Sequence, residues 1–280
     1  MLKLTKAIAT YNKIPMLLAM WALSTNAFSD STSNLPQRIS QNLDIGISFS
    51  IPPWVIVESN SGIELDILKG AFKGTHYTVT PHYVPFALAY KMFDGKQLDG
   101  VINAQKHLAK QGYASNPVVT FNNIAISLKK KAFPKRVDID FMKNKSIVAF
   151  QNANKILGTA FKKMSEKNGE YQEVSKQSLQ LNLLFIREVD FIVMDKSIFG
   201  YFWNKVIKQS SNSMIKEKYT KAVRFHTVFA PTIYPFLFKD EPARDSFNRG
   251  FVRLKLSGEY DRIIKKYDHL TNLYRRYDVD

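Results

Sequence analysis

One acid in this 280-residue chain stands where an acid is costly. Asp195 ends the apolar run Phe191-Ile192-Val193-Met194. A carboxylate there needs a cation or several hydrogen-bond donors. A helix signal opening near Ser197 makes an N-cap the competing role. Two rings stand where strands end: Trp54 after Pro52-Pro53, and Phe86 after the run 77–84. Ligands of α/β proteins collect beyond the carboxyl ends of strands. These rings and this acid are therefore candidates for holding a small polar molecule, with core packing the alternative for the rings. Other chemistries lack their residues. The five histidines form no His-x-x-x-His pair, no carboxylate cluster has metal spacing, and there is no Gly-x-Ser-x-Gly elbow or phosphate-binding glycine loop. The chain has no cysteine, which removes disulfides, thiolate metal sites and a thiol nucleophile. Glu58 and Glu64, like Glu166 and Glu170, read as solvated surface acids. The expectation is no metal, no cofactor and no enzyme.

The elements that would position these residues come in two sets. The segments Lys96-Gln97-Leu98-Asp99-Gly100-Val101-Ile102 and Arg187-Glu188-Val189-Asp190-Phe191-Ile192 read alike: a basic residue, an apolar residue, Asp, then a short apolar strand. A chain that steps from helix to strand twice in this way has two α/β lobes, with a cleft between them. In the first set, 43–49 reads as a strand stopped by Ile51-Pro52-Pro53. Leu65, Leu68 and Phe72 mark a helix, 77–84 a strand that Pro81 interrupts, and 98–103 another strand. From 118 to 128 the chain is extended and suits a crossing. A second set follows: strand 146–150, a helix with Leu157, Phe161 and Met164, strand 171–174, a helix with Leu179, Leu183 and Ile186, and strand 190–194. The segment 222–230 suits the return crossing. Pro231 and Pro235 keep the next stretch irregular before a helix through Phe247, Phe251 and Leu254.

Residues 1–28 read differently. Lys3, Lys6 and Lys13 precede an apolar run from Ile14 to Leu23, then small residues at Thr25 and Ala27. This is the pattern of a cleaved secretory signal. With no cysteine for a lipid anchor, the expectation is a free periplasmic protein. The 40 basic and 24 acidic residues give a formal charge of +16. Residues 1–28 hold three Lys and no acid, so the remainder carries +13. The basic residues are dispersed and form no stripe interleaved with stacking rings, which argues against nucleic acid.

Six segments in order resemble the extracellular solute-binding proteins of family 3, the polar amino-acid binding proteins of ATP-driven importers. They are Pro52-Pro53-Trp54; Gly62-Ile63-Glu64-Leu65-Asp66; Leu98-Asp99-Gly100-Val101-Ile102; Ser115-Asn116-Pro117; Val189 to Asp195; and Phe247-Asn248-Arg249-Gly250 running through Ser257-Gly258-Glu259-Tyr260 to Lys265-Lys266-Tyr267. The resemblance spans about residues 44–268. It implies a type 2 periplasmic-binding-protein-like (Venus-flytrap) fold with two hinge crossings. Lobe 1 would be discontinuous, 41–121 and 227–280, and lobe 2 would be 122–226. It also implies that Trp54 and Phe86 sandwich a ligand and that Asp195 takes an α-ammonium. A membrane permease or a sensor-kinase ectodomain would then be the partner of a monomer.

The chain departs from the family at both carboxylate-holding features. The family's Thr-x-x-Arg is replaced by Asn103-Ala104-Gln105-Lys106, with His107 and Lys110 beyond. Lys106 offers a cation, but a lysine does not reproduce the planar fork of arginine. The second-lobe Gly-Thr pair is replaced by Asn152-Ala153-Asn154, where Asn154 can cap a helix and offer an amide. Asn103, Gln105, Lys106 and Asn154 therefore complete the candidate site. The expected solute is an amino acid or a related amine or carboxylate. The alternatives are a dehydratase-like enzyme on the same fold, or a sensor or interaction domain without a ligand.

Overall fold

A computed structural model describes residues 39–47, 51–104 and 109–271. Residues 1–28, where an export signal is expected, lie outside the described residues, as do Gln105 and Lys106. The chain runs β1 (Gln41–Ile47), α1 (Ile63–Phe72), β2 (Tyr77–Tyr83), α2 (Phe86–Asp94), β3 (Gly100–Val101) and β4 (Tyr113–Ala114). It continues through β5 (Val119–Phe121), β6 (Asn123–Leu128), β7 (Ile147–Phe150), α3 (Ala153–Ile156), α4 (Thr159–Lys167), β8 (Tyr171–Val174) and α5 (Ser178–Phe185). Then come β9 (Phe191–Asp195), α6 (Lys196–Gln209), α7 (Ser213–Tyr219) and β10 (Val223–His226). It ends with β11 (Thr232–Tyr234), β12 (Leu237–Phe238), α8 (Glu241–Leu256) and α9 (Glu259–Tyr267).

Two five-stranded sheets result. The first has the order β2-β1-β3-β12-β4, the second β10-β6-β9-β7-β8. In each, strands joined through helices pair in parallel, as right-handed βαβ crossovers require: β1 with β2 and β3, and β7 with β8 and β9. Between the sheets, β5 and β11 pair antiparallel, Thr232 opposite Phe121. The chain therefore passes from the first sheet to the second and back through this two-stranded ribbon.

The two similar segments do the same structural work. Each turns through a left-handed residue, Lys96 or Glu188. Each then points its Asp at the backbone beside a neighbouring parallel strand. Asp99 Oδ2 accepts from Asp44 N (2.8 Å) and Asp190 Oδ2 from Ser146 N (3.0 Å).

Three expectations need correction. Pro81 does not interrupt β2, which pairs with β1 through Ile45↔Pro81 to Ile47↔Tyr83. β2 is an edge strand, and a missing N–H is tolerated there. The segment 222–230 is not the return crossing: β10 belongs to the second sheet, antiparallel to β6. The crossing is β11, which forms between Pro231 and Pro235, where an irregular stretch was expected.

The largest cluster of buried side chains runs through both sheets. It extends from Leu43, Ile67 and Phe247 by way of Trp54 and Phe121 to Leu184, Phe199 and Trp203. Gly250 lets α8 cross α1 closely, since a Cβ there would meet the Ala71 carbonyl oxygen at 1.8 Å. Among the described residues, no helix is long and apolar enough to cross a membrane.

Candidate functional site

Trp54 is held by the start of α1. The carbonyls of Pro53 and Trp54 accept from Ile63 N and Glu64 N, both at 3.0 Å, which satisfies two of the helix's free N–H groups. Only glycine fits beneath this turn. Gly62 has φ +126°, and a Cβ would lie 2.4 Å from the Trp54 carbonyl oxygen. The helix is tied down from α9. Tyr267 Oη accepts from Gly62 N (2.9 Å) and donates to Asp66 Oδ2 (2.7 Å), which Lys266 Nζ also reaches at 2.7 Å. Asp66 is thus committed to holding helices together.

The Trp54 indole lies against the crossing ribbon, 4.9 Å from the Phe121 ring centre, and Phe121 meets Tyr234 edge-on at 5.3 Å. Its Nε1 donates to Asp195 Oδ1 at 3.2 Å. A residue of the first sheet's surroundings therefore bonds the residue that ends β9 of the second.

Asp195 is 2 % exposed and serves as the N-cap of α6. Oδ1 accepts from Ser197 N (2.9 Å) and Ile198 N (3.2 Å) as well as from Trp54, and Oδ2 accepts from Asn122 N (2.8 Å). The N-cap role is the one seen, and the buried carboxylate gains two further donors, from Trp54 and Asn122. Burial pushes its carboxyl upward, against the pull of the Trp54, Asn122, Ile198 and Ser197 N–H groups.

Asn103 follows β3 in the left-handed region (φ 53°) and is 6 % exposed. Its amide faces Glu64, without a bond of good geometry to either carboxyl oxygen. Glu64 corrects the sequence reading: it is not a solvated surface acid but 0 % exposed. Burial pushes its carboxyl up to about 8; the Asn103 amide opposes this and the Asp195 charge adds to it. The signal was present, because Glu64, Ile67, Leu68 and Ala71 share one helical stripe, and all four are buried.

Trp54, Asn103 and Asp195 thus converge, with Glu64 among them. Asn154 lies in α3, just beyond β7. Its backbone N donates to Glu173 Oε1 (3.0 Å), and Asn152 N donates to Glu173 Oε2 (2.6 Å). Tyr171 Oη also donates to Glu173, at 2.7 Å. The chain's own carboxylate occupies the amides expected to receive an anion. Phe86 opens α2, and its side chain lies outside the description, as Gln105 and Lys106 do entirely.

No family model and no curated protein matches the sequence. Solved structures do. The chain is similar to the GluR0 ligand-binding core in complex with L-glutamate (TM-score 0.62, 16 % identity, covering 81 % of this chain and 98 % of that one). It is also similar to a histidine kinase sensor domain with similarity to periplasmic binding proteins (TM-score 0.62, 13 % identity, 81 % and 96 %). A third is the arginine-, lysine-, histidine-binding protein ArtJ of Geobacillus stearothermophilus (TM-score 0.59, 16 % identity, 82 % and 99 %). At these identities the likeness establishes the architecture and leaves the solute open. The chain has the two-lobe α/β fold of the periplasmic binding proteins.

Proposed function

We propose that this chain is an exported solute-binding protein of the family 3 type. It captures a small polar solute, an amino acid or a related amine or carboxylate, in the cleft between lobe 1 (41–121 and 227–280) and lobe 2 (122–226). It then delivers the solute to an ABC importer or presents it to a sensor. It works in the periplasm as a monomer and catalyses no reaction. The observation that carries this reading is the Trp54–Asp195 bond beside the β5–β11 ribbon. It joins the two lobes at the carboxyl end of β9, where α/β proteins hold their ligands. The lobes hinge on the ribbon, and a solute that touches both shifts the balance toward the closed form that a partner recognises.

A thermal-shift screen of metabolites tests this, because a ligand that binds the native state raises its melting temperature. The expected result is one chemical class of hits, recovered unchanged by mass spectrometry. Turnover of a hit would favour the enzyme reading. A ligand-free sensor or interaction domain is the second reading. It draws support from Asp195 and the α3 amides being satisfied by the chain itself. A screen without hits would favour it.

A further inference from the structure

Three buried oxygens of this region have no donor among the described residues: Oε1 and Oε2 of Glu64 and Oδ1 of Asn103. Each such group is destabilising when left unsatisfied, because it has given up its bonds to water. The two residues stand on adjoining elements, the first turn of α1 and the left-handed position after β3. Once Glu64 is ionised all three atoms are acceptors, and a donor-rich group satisfies them together. Asp195 is different, because four N–H groups already fill it. A solute carboxylate finds the α3 amides taken by Glu173.

We infer that Glu64 and Asn103 form the cation-accepting subsite of the cleft, taking the ammonium or guanidinium end of an amine solute in place of Asp195. This rests on the solute-binding reading and narrows it to a cationic solute that does not depend on an α-carboxylate. The chemistry is consistent with the surroundings. An ionised Glu64 lies in the first turn of α1, where the helix dipole favours negative charge. The groups that face it are Asp195, from the β9–α6 junction, and the neutral Asn103 amide. Asp66, further along α1, is bound to Lys266 and Tyr267. With its carboxyl raised by burial, Glu64 holds a proton near neutral pH and releases it when a cation arrives.

The test uses the full chain with putrescine, L-lysine and L-arginine as cationic probes, and L-glutamate and succinate as controls. Thermal shift is followed by calorimetry near neutral pH in two buffers of different ionisation enthalpy. The expected result is a cationic probe that raises the melting temperature and binds with release of close to one proton. Glu64→Gln keeps the side-chain volume. It should abolish the proton release and weaken binding by at least about tenfold, since a charge-assisted bond is about twice as strong as a neutral one. If the variant fails to fold, proton release by the wild type alone decides. A cationic probe that binds without proton release, or with an affinity the variant leaves unchanged, would overturn the subsite while solute binding stands. Binding of only glutamate or succinate would do the same. If no probe stabilises the chain, both the subsite and the solute-binding reading fall.

Discussion

Glu64→Gln has a consequence that needs no solute. In the folded chain Glu64 keeps its proton until about pH 8, whereas an unperturbed glutamate loses it near 4.5. Between those values the folded state binds one proton more than the unfolded state. Stability therefore falls as pH rises through the window and levels off above about 8. At about 1.36 kcal/mol per pH unit, a shift of this size removes about 5 kcal/mol. Glutamine is uncharged throughout and does not suffer this loss. Near pH 5 the wild type and the variant should have similar stability. Near pH 9 the variant should be the more stable by up to about 5 kcal/mol, or about 10–20 °C at the usual 2–4 °C per kcal/mol for a chain of this size. Asp195 is present in both proteins, so its own titration largely cancels in the difference. Urea unfolding of both across this range reads the effect directly. Curves that stay parallel from about pH 5 to about pH 9 would refute the burial argument for Glu64, and with it the case for an unpartnered acid.

The remaining predictions address the contacts around it. Asp195→Ala removes a cap and leaves the Trp54 indole and Asn122 N without an acceptor; a loss of about 3–5 kcal/mol is expected in urea unfolding, partly offset because a buried charge goes too. Gly250→Ala drives a methyl into the Ala71 carbonyl and should cost about 3 kcal/mol or more, visible as a lower melting temperature. Glu173→Ala strips the acceptor from Asn152 N and Asn154 N, at about 2–4 kcal/mol; added sulfate should restore more stability to this variant than it gives the wild type, because it can occupy the same amides.

Much of the fold was legible in the sequence because its signals are local. The Pro-Pro-Trp turn, the Gly62 helix start and the two Asp-led strands each carry their geometry in a few residues. The two-sheet arrangement follows from repeating that helix-to-strand step. The misreadings have a common cause: they depend on where an element sits. Pro81 breaks a central strand and not an edge strand, and the local pattern around it is the same in either case. The tripeptide between Pro231 and Pro235 becomes a strand only because β5 lies opposite. In the site, Asp195 was legible because an acid closing an apolar run is conspicuous. Glu64 was not legible as buried, because Leu65, Leu68 and Phe72 already define an apolar helix face without it. The capture of the α3 amides by Glu173 joins the turn after β7 to β8, residues about twenty apart, a pairing that no local pattern announces.

The self-satisfaction of Asp195 and of the α3 amides also constrains how closure can work. In most two-lobe binding logic the solute supplies the contacts that hold the lobes together, so the closed form is rare without it. Here the Trp54–Asp195 bond links the surroundings of the two sheets through the chain's own atoms, and the buried cluster runs through both sheets. On the solute-binding proposal, a solute favours closure through groups that the described residues leave unsatisfied, and with Glu64 ionised those groups of this region are acceptors. A ligand that merely replaced the Trp54 N–H on Asp195 would exchange one donor for another and gain little differential affinity between open and closed forms. A ligand that brings donors to Glu64 and Asn103 instead relieves acceptors for which the described residues offer no partner.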